Sequence, residues 1–271
     1  MNKNVLLIND LAGYGKVALS VMIPVLSHMG VQVHNLPTAL VSNTLDYGKF
    51  DILDTTSYMK NTLKVWHDLD FNFDAIATGF IVNDEQSKFI RSYCKEQSKK
   101  GVLIVCDPIM GDEGSLYPGM SNETIDNMRH LISCADYVVP NFTEASLLTN
   151  QPYSLDPKDD EIKHMIDLLR KNGSKSVVIT SVQQKNGHSV WGYDHKKEEY
   201  FSIPFDMIPV RLPGTGDIFS SVLLGELMKG KNLKESTQQA MDVVRSMILI
   251  NQDNSDLFKG IAIETSLKEI K

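Results

Sequence analysis

Long apolar runs are scarce in this chain. The amino-terminal MNKNVLLIND returns to polar residues after Val5–Ile8, too few for a signal-peptide core or a membrane span, and no later stretch reaches membrane length. Cysteine is almost absent: Cys94, Cys106 and Cys134 are isolated and odd in number, so no disulfide framework is expected. These absences point to a cytoplasmic protein. A basic excess is also missing. Lys and Arg number 27 against 34 Asp and Glu, a net charge of -7, which argues against a nucleic-acid or anionic-membrane surface. Phosphate-bearing ligands stay open, because local amides and metal ions dominate such sites.

The familiar catalytic motifs are lacking too. There is no G-x-x-x-x-G-K-[ST], H-E-x-x-H, paired C-x-x-C or G-x-S-x-G, and Gly13-Tyr14-Gly15 lacks the third glycine of a dinucleotide fingerprint. The seven histidines are scattered. His28 and His130 fall in helical segments, and none of the seven receives a role.

What is present is a globular composition, 42% hydrophobic and 23% charged over 271 residues, with ample length for a core. Short apolar runs at Val5–Ile8, Val31–Leu36, Ala75–Thr78, Val102–Cys106, Tyr137–Val139 and Ser176–Thr180 read as parallel strands covered on both faces. Between them lie amphipathic helices. Phe89, Ile90, Tyr93 and Cys94 share one face, as do Ile125, Met128, Leu131 and Ile132, and Ile162, Met165, Ile166 and Leu169. Ser189–Ile203 reads as a hairpin around Asp194–Glu199. Val17–Met29, Gly216–Lys229 and Asn232–Asn251 read as helices. The alternation predicts a layered α/β fold, and with no linker, repeat or charge shift, one domain over 1–271.

Chemistry concentrates in three segments. Pro213-Gly214-Thr215-Gly216-Asp217 runs into an apolar helix; glycines there free backbone N–H groups, and a helix start is an anion site. Asp217 beside it makes sense as a base that takes a hydroxyl proton while the amides hold a phosphoryl group. The plainer alternative is a glycine turn with an acidic residue in the first helical turn. Cys106-Asp107-Pro108-Ile109-Met110-Gly111-Asp112 places carboxylates at the carboxyl end of a strand, where α/β sheets bind ligands. Such a loop suits Mg²⁺ held through water, or is a solvated acidic turn. Asn141 and Glu144 follow another strand. They fit the same rim, and equally a helix N-cap with its capping-box partner.

In order along nearly the whole chain, these pieces resemble the ribokinase-like superfamily, and within it the pyridoxal kinase family. The carrying residues are Ile8-Asn9-Asp10, Ser42-Asn43-Thr44 with Tyr47-Gly48, Thr78-Gly79-Phe80, Val105-Cys106-Asp107-Pro108 through Gly111-Asp112, Gly114-Ser115-Leu116-Tyr117, Pro140-Asn141 with Glu144, Thr180-Ser181, and Gly214-Thr215-Gly216-Asp217. The resemblance implies a three-layer α/β/α sandwich around a mostly parallel sheet, without a separate lid domain. It also implies transfer of the ATP γ-phosphoryl group to the 5′-hydroxyl of pyridoxal, pyridoxine or pyridoxamine. Asp217 is then the catalytic base and Gly214, Thr215 and Gly216 the anion hole. Asp10, Ser42 and Phe80, with Asp217, surround the substrate. Asn141, Glu144, Thr180, Ser181, Gly214 and Gly216 face ATP, and Asp107, Asp112 and Glu144 organise Mg²⁺. A monovalent cation and a homodimer are further implications of the family.

The chain departs from the family where serine often stands (Asp10), where threonine often lies near the ring aldehyde (Leu45), where tyrosine is frequent (Phe80), and where a cation-contacting threonine is common (Val139). The alternatives are hydroxymethylpyrimidine kinase, whose glycine-serine-aspartate-rich opening Asp10–Gly15 does not reproduce, and a non-catalytic vitamin-binding protein, against which the intact Gly214–Asp217 and Glu144 speak.

Overall fold

A computed structural model describes residues 3–270. They group into two compact units, one formed by residues 3–82 with 208–270 and the other by Asn83–Met207.

The first unit opens with β1 (Asn4–Ala12), α1 (Leu19–His28), β2 (Gln32–Val41), β3 (Ile52–Asp54), α2 (Thr56–Asp68) and β4 (Ala75–Thr78). β1 lies between β2 and β4, parallel to both, and β3 adds antiparallel to β2. Val5, Leu6, Leu7 and Ile8 are fully buried, as a strand covered on both faces demands. Fully burying such a side chain is worth about 1.5–3 kcal/mol, so this run anchors the unit.

The second unit holds α3 (Asp84–Lys99), β5 (Leu103–Cys106), β6 (Gly111–Asp112), β7 (Ser115–Leu116), α4 (Asn122–Ile132), β8 (Tyr137–Val138), α5 (Phe142–Thr149), α6 (Asp159–Lys171), β9 (Ser176–Gln184), β10 (Gly187–Asp194) and β11 (Glu199–Phe205). β8 runs parallel to β5 and β9, and β9, β10 and β11 continue antiparallel. The predicted stripes of α4 (Ile125, Met128, Leu131 and Ile132) and α6 (Ile162, Met165, Ile166 and Leu169) are buried throughout, whereas on α3 Ile90 and Cys94 are buried and Phe89 and Tyr93 stay half-buried. The Asn83 side chain accepts from Gln86 N–H at 2.8 Å and so starts α3. β6 and β7 form a separate small hairpin.

The chain then returns to the first unit through α7 (Thr215–Met228) and α8 (Leu233–Asn251), which pack on each other while α7 also meets α1. The fold is α/β with mostly parallel strands, as expected. Two differences stand out. The helix expected from Val17 begins at Leu19, because the chain first doubles back to bridge Leu11 with Ala18. Residues 52–68, which carry no clear period, form β3 and α2. No helix among the described residues is long and apolar enough to cross a membrane.

Candidate active site

In the first unit the chemistry gathers at the carboxyl ends of β1 and β4 and the start of α7. Gly214 is the residue before α7, in the left-handed region at φ 85. A side chain there would collide with the Lys16 carbonyl, so glycine is required on two counts. A methyl at Gly216 would meet no protein atom within 4 Å. The side of α7 at Gly216 is thus open, and the first N–H groups of a helix lack intrahelical acceptors. Thr215 is tied back through its hydroxyl to the Leu212 carbonyl at 3.3 Å.

Asp217 sits in that first turn. Its Oδ2 accepts from the Ala18 N–H at 2.8 Å. Burial pushes its carboxyl up to about 6, while the Ala18 N–H and the Asn9 amide pull the other way. Asp10, at the end of β1, is pushed up to about 7, first by burial and then by the charge of Asp217. As whole residues both retain some exposure, but their carboxyl ends are the desolvated parts. Two neighbouring carboxylates that resist simultaneous ionisation make a proton-handling pair.

Phe80 joins this group. Its N–H donates to Asn9 Oδ1 at 2.8 Å, which holds the loop after β4 against β1. Ser42 has a different engagement. Its hydroxyl donates to Asn43 Oδ1 at 2.7 Å and accepts from the Asp51 N–H at 2.8 Å, closing the turn between β2 and β3.

In the second unit Asn141 and Glu144 make the capping box of α5. Asn141 Oδ1 accepts from the Glu144 N–H at 2.9 Å, and Glu144 Oε2 accepts from the Asn141 N–H at 2.8 Å. The box reaches further than a cap needs. Glu144 Oε1 accepts from the Met110 N–H at 3.0 Å, and Asn141 Nδ2 donates to the Gly111 carbonyl at 2.8 Å. Both side chains thus fasten the Asp107–Asp112 loop. Burial and the charge of Asp107 hold the Glu144 carboxyl well above its ordinary range, against three backbone N–H groups that favour its charge.

Asp112 starts the small hairpin and accepts from the Glu113 N–H at 2.9 Å. No group of three or more His, Cys, Asp or Glu among the described residues is placed to grip a metal. Asp107, Asp112 and Glu144 thus form no closed cage. The repulsion between Asp107 and Glu144 is nevertheless what a divalent cation relieves, and Mg²⁺ keeps most of its waters.

Thr180 lies beside this loop, its N–H on the Pro140 carbonyl at 3.0 Å and its backbone bridged to Asn141. Ser181 has φ 59. Ile179 pairs with Trp191 and Val182 with Ser189, so Thr180 and Ser181 together oppose Val190 alone. That is a bulge, a device that re-aims side chains near functional sites.

The structure therefore brings Asp10, Phe80, Asp217 and Gly214–Gly216 together in one unit, and Asp107, Asn141, Glu144 and Thr180 in the other. Two neighbours of Asp217 escaped the sequence reading. Asn9 stood only among the residues that carry the family resemblance and received no role. Ala18 holds φ 49 and ψ -130, a backbone state almost reserved for glycine, which an alanine in a helical run does not announce.

Comparison with known proteins identifies the family. The family model described as phosphomethylpyrimidine kinase matches residues 23–261. A Bacteroides thetaiotaomicron VPI-5482 protein crystallised with pyridoxal superposes with a TM-score of 0.95 at 36% identity, covering 100% of this chain and 96% of that one. The pyridoxal kinase of Dictyostelium discoideum is 28% identical over 92% of this chain and 86% of its own. A hydroxymethylpyrimidine/phosphomethylpyrimidine kinase of Staphylococcus aureus (strain MRSA252) is 29% identical over 81% of this chain and 72% of its own. This chain belongs to the phosphomethylpyrimidine kinase family, ribokinase-like kinases of the pyridoxal and hydroxymethylpyrimidine type that phosphorylate an alcohol.

Proposed function

We propose that the enzyme transfers the γ-phosphoryl group of ATP to the 5′-hydroxymethyl group of a vitamin B6 vitamer. The observation that carries this reading is the Asp217 carboxyl, buried at the first turn of α7 with its proton affinity raised to about 6. A base is most useful when it is ionised at the working pH yet still holds a proton well. Asp217 takes the hydroxyl proton as the oxygen attacks phosphorus, and the Gly214–Gly216 amides stabilise the charge on the phosphoryl oxygens.

We assign Asp10 and Phe80 to the ring and Ser42 to the rim of that pocket. Asn141, Glu144, Thr180 and Ser181 are assigned to the nucleotide side. Asp107 with Glu144, and Asp112 through water, would hold Mg²⁺, which when bound offsets charge on the ATP phosphates. The ring assignment is supported by the Bacteroides neighbour, which was crystallised with pyridoxal.

Hydroxymethylpyrimidine is the second reading, favoured by the Staphylococcus aureus relative. A panel of pyridoxal, pyridoxine, pyridoxamine and hydroxymethylpyrimidine with Mg·ATP, followed by mass analysis of the product, decides between them. A B6 5′-phosphate as the main product supports the proposal; preferential phosphorylation of the pyrimidine overturns it. ATP hydrolysis unaffected by any of these alcohols points to the non-catalytic binding protein.

A further inference from the structure

Asn9 is an unusual occupant of its position. Asparagine is disfavoured inside strands, yet here it is 1% exposed, between the aliphatic run Val5–Ile8 and Asp10. Its orientation is fixed from one side. Oδ1 accepts from the Phe80 N–H at 2.8 Å and the Asp10 N–H at 3.0 Å. Nδ2 is therefore turned away from both, and its contact with Met22 Sδ at 3.4 Å uses only a weak acceptor.

The surroundings are shaped around this amide. A methyl at Gly79 would lie 2.5 Å from Cγ, Oδ1 and Nδ2 of Asn9, so Gly79 leaves just the room the amide occupies. On its donor side Asn9 interacts with Asp217, favouring the charged carboxylate. The other charged neighbour is Asp10 on β1. Lys16, in the turn before α1, is engaged by Glu264 at 2.6 Å. α1, which packs on α7, carries no charged side chain before His28.

From this geometry we infer that Asn9 is a positioning residue. Its Oδ1 locks the Asp10–Phe80 backbone, and its Nδ2 orients Asp217 and keeps it ionised for proton abstraction. The inference rests on the reading of Asp217 as base, and it assigns a task to a residue that touches neither substrate nor phosphate.

The test is the pH dependence of kcat/KM from about pH 5 to 9 for the wild type, Asn9→Asp, Gly79→Ala and Asp217→Asn, with Mg·ATP and whichever of pyridoxal and hydroxymethylpyrimidine is the better substrate. Asn9→Asp keeps the acceptor for both backbone N–H groups, removes the donor and adds a negative charge. Gly79→Ala adds no charge and displaces the amide. Both should move the acid limb upward by about one pH unit. At the alkaline end, where Asp217 is ionised regardless, turnover should return to within about threefold of wild type.

A limb that stays put in both variants, or a loss equal at every pH, overturns the inference and leaves Asn9 a structural residue. Should Asn9→Asp fail to fold, Gly79→Ala decides alone. Near-normal turnover in Asp217→Asn removes the base itself and this inference with it. A dead Asp217→Asn beside an unmoved limb removes only the role of Asn9.

Discussion

The backbone N–H of Ala18 donates to Oδ2 of Asp217 at 2.8 Å, across 199 positions of sequence. It aims the carboxylate and stabilises its charge, while the residue that supplies it sits at φ 49 and ψ -130. Such conformations cost about 1–3 kcal/mol. Ala18→Gly should relieve that strain, against about 0.8 kcal/mol for the lost buried methyl and about 0.5–1 kcal/mol of added backbone entropy. The terms nearly cancel, so thermal denaturation should move by only a few degrees and kcat should hold. Ala18→Val adds bulk in the same state and should lower the melting temperature sharply; equal melting of both variants would deny the strain.

Asp217→Asn keeps the size of the side chain and removes its basicity. The expected fall in kcat is about 10²–10⁴-fold, the range for a lost general base, with ATP binding little changed because the amides remain. In the wild type, activity should decline as pH falls through about 6, where Asp217 takes up its proton. Turnover measured alongside nucleotide binding by calorimetry checks both halves. Retained turnover removes Asp217 from the chemistry.

Asp10 has consequences for stability. Its proton affinity is raised on folding, from 3.8 to about 7, so its contribution is most favourable below the unfolded value and is lost as pH rises through the folded one. Asp10→Asn should therefore stabilise the protein by roughly 1–3 kcal/mol at alkaline pH, and the gain should vanish under acidic conditions. Denaturant melts at both ends of the range give the difference. A gain independent of pH would mean that the carboxyl is not the cause.

The same residue bears on which alcohol is chosen. An ionised Asp10 only accepts hydrogen bonds and favours a protonated pyridine nitrogen or the amine of pyridoxamine. Its raised proton affinity adds a donor form near neutrality. Leu45 and Phe80 offer no hydroxyl to the aldehyde of pyridoxal. Pyridoxamine or pyridoxine should thus compete with pyridoxal better than in relatives with Ser and Thr. Asp10→Ser with Leu45→Thr should shift kcat/KM back toward pyridoxal by roughly 1–3 kcal/mol. An unchanged ratio across the three vitamers would show that neither residue reads the ring.

Glu144→Gln separates cap from metal. Glutamine can still cap, but its amide nitrogen cannot accept, so either Met110 N–H or Asn141 N–H loses its partner. An unpaired buried donor costs about 1–3 kcal/mol. Beyond that modest destabilisation, the Mg²⁺ needed for half activity should rise. An unchanged Mg²⁺ titration would leave Glu144 as the fastening of its loop and nothing more.

How much of this was legible in the sequence depended on which physics set each position. β4 was read to its exact ends, and the stripe of α6 to each residue, because burial imposes periodicity on side chains. α2 buries only Thr56 and Met59 while Tyr58 and Val65 stay exposed, so no period was available to find. β6 and β7 are two residues each, below what any pattern can reveal. Asp217 and Gly214 were legible because glycine beside a carboxylate is itself a chemical statement. Ala18 and Ser181 were not, since their importance lies in backbone angles that their side chains do not encode. Ser42 was expected around the substrate, and what its side chain does in the fold, closing the turn before β3, had no signal in the sequence.

The Lys16 carbonyl lies directly against both Gly214 and Gly260, and the Lys16 N–H is held by the Lys259 carbonyl at 2.8 Å. Three backbone segments from opposite ends of the chain therefore meet without side chains between them. Closing such remote junctions costs loop-closure entropy, which the packing of α7 on α1 and α8 offsets. Asp217 therefore holds its Ala18 partner only in a folded first unit, and during refolding phosphotransfer should return no earlier than the helical signal.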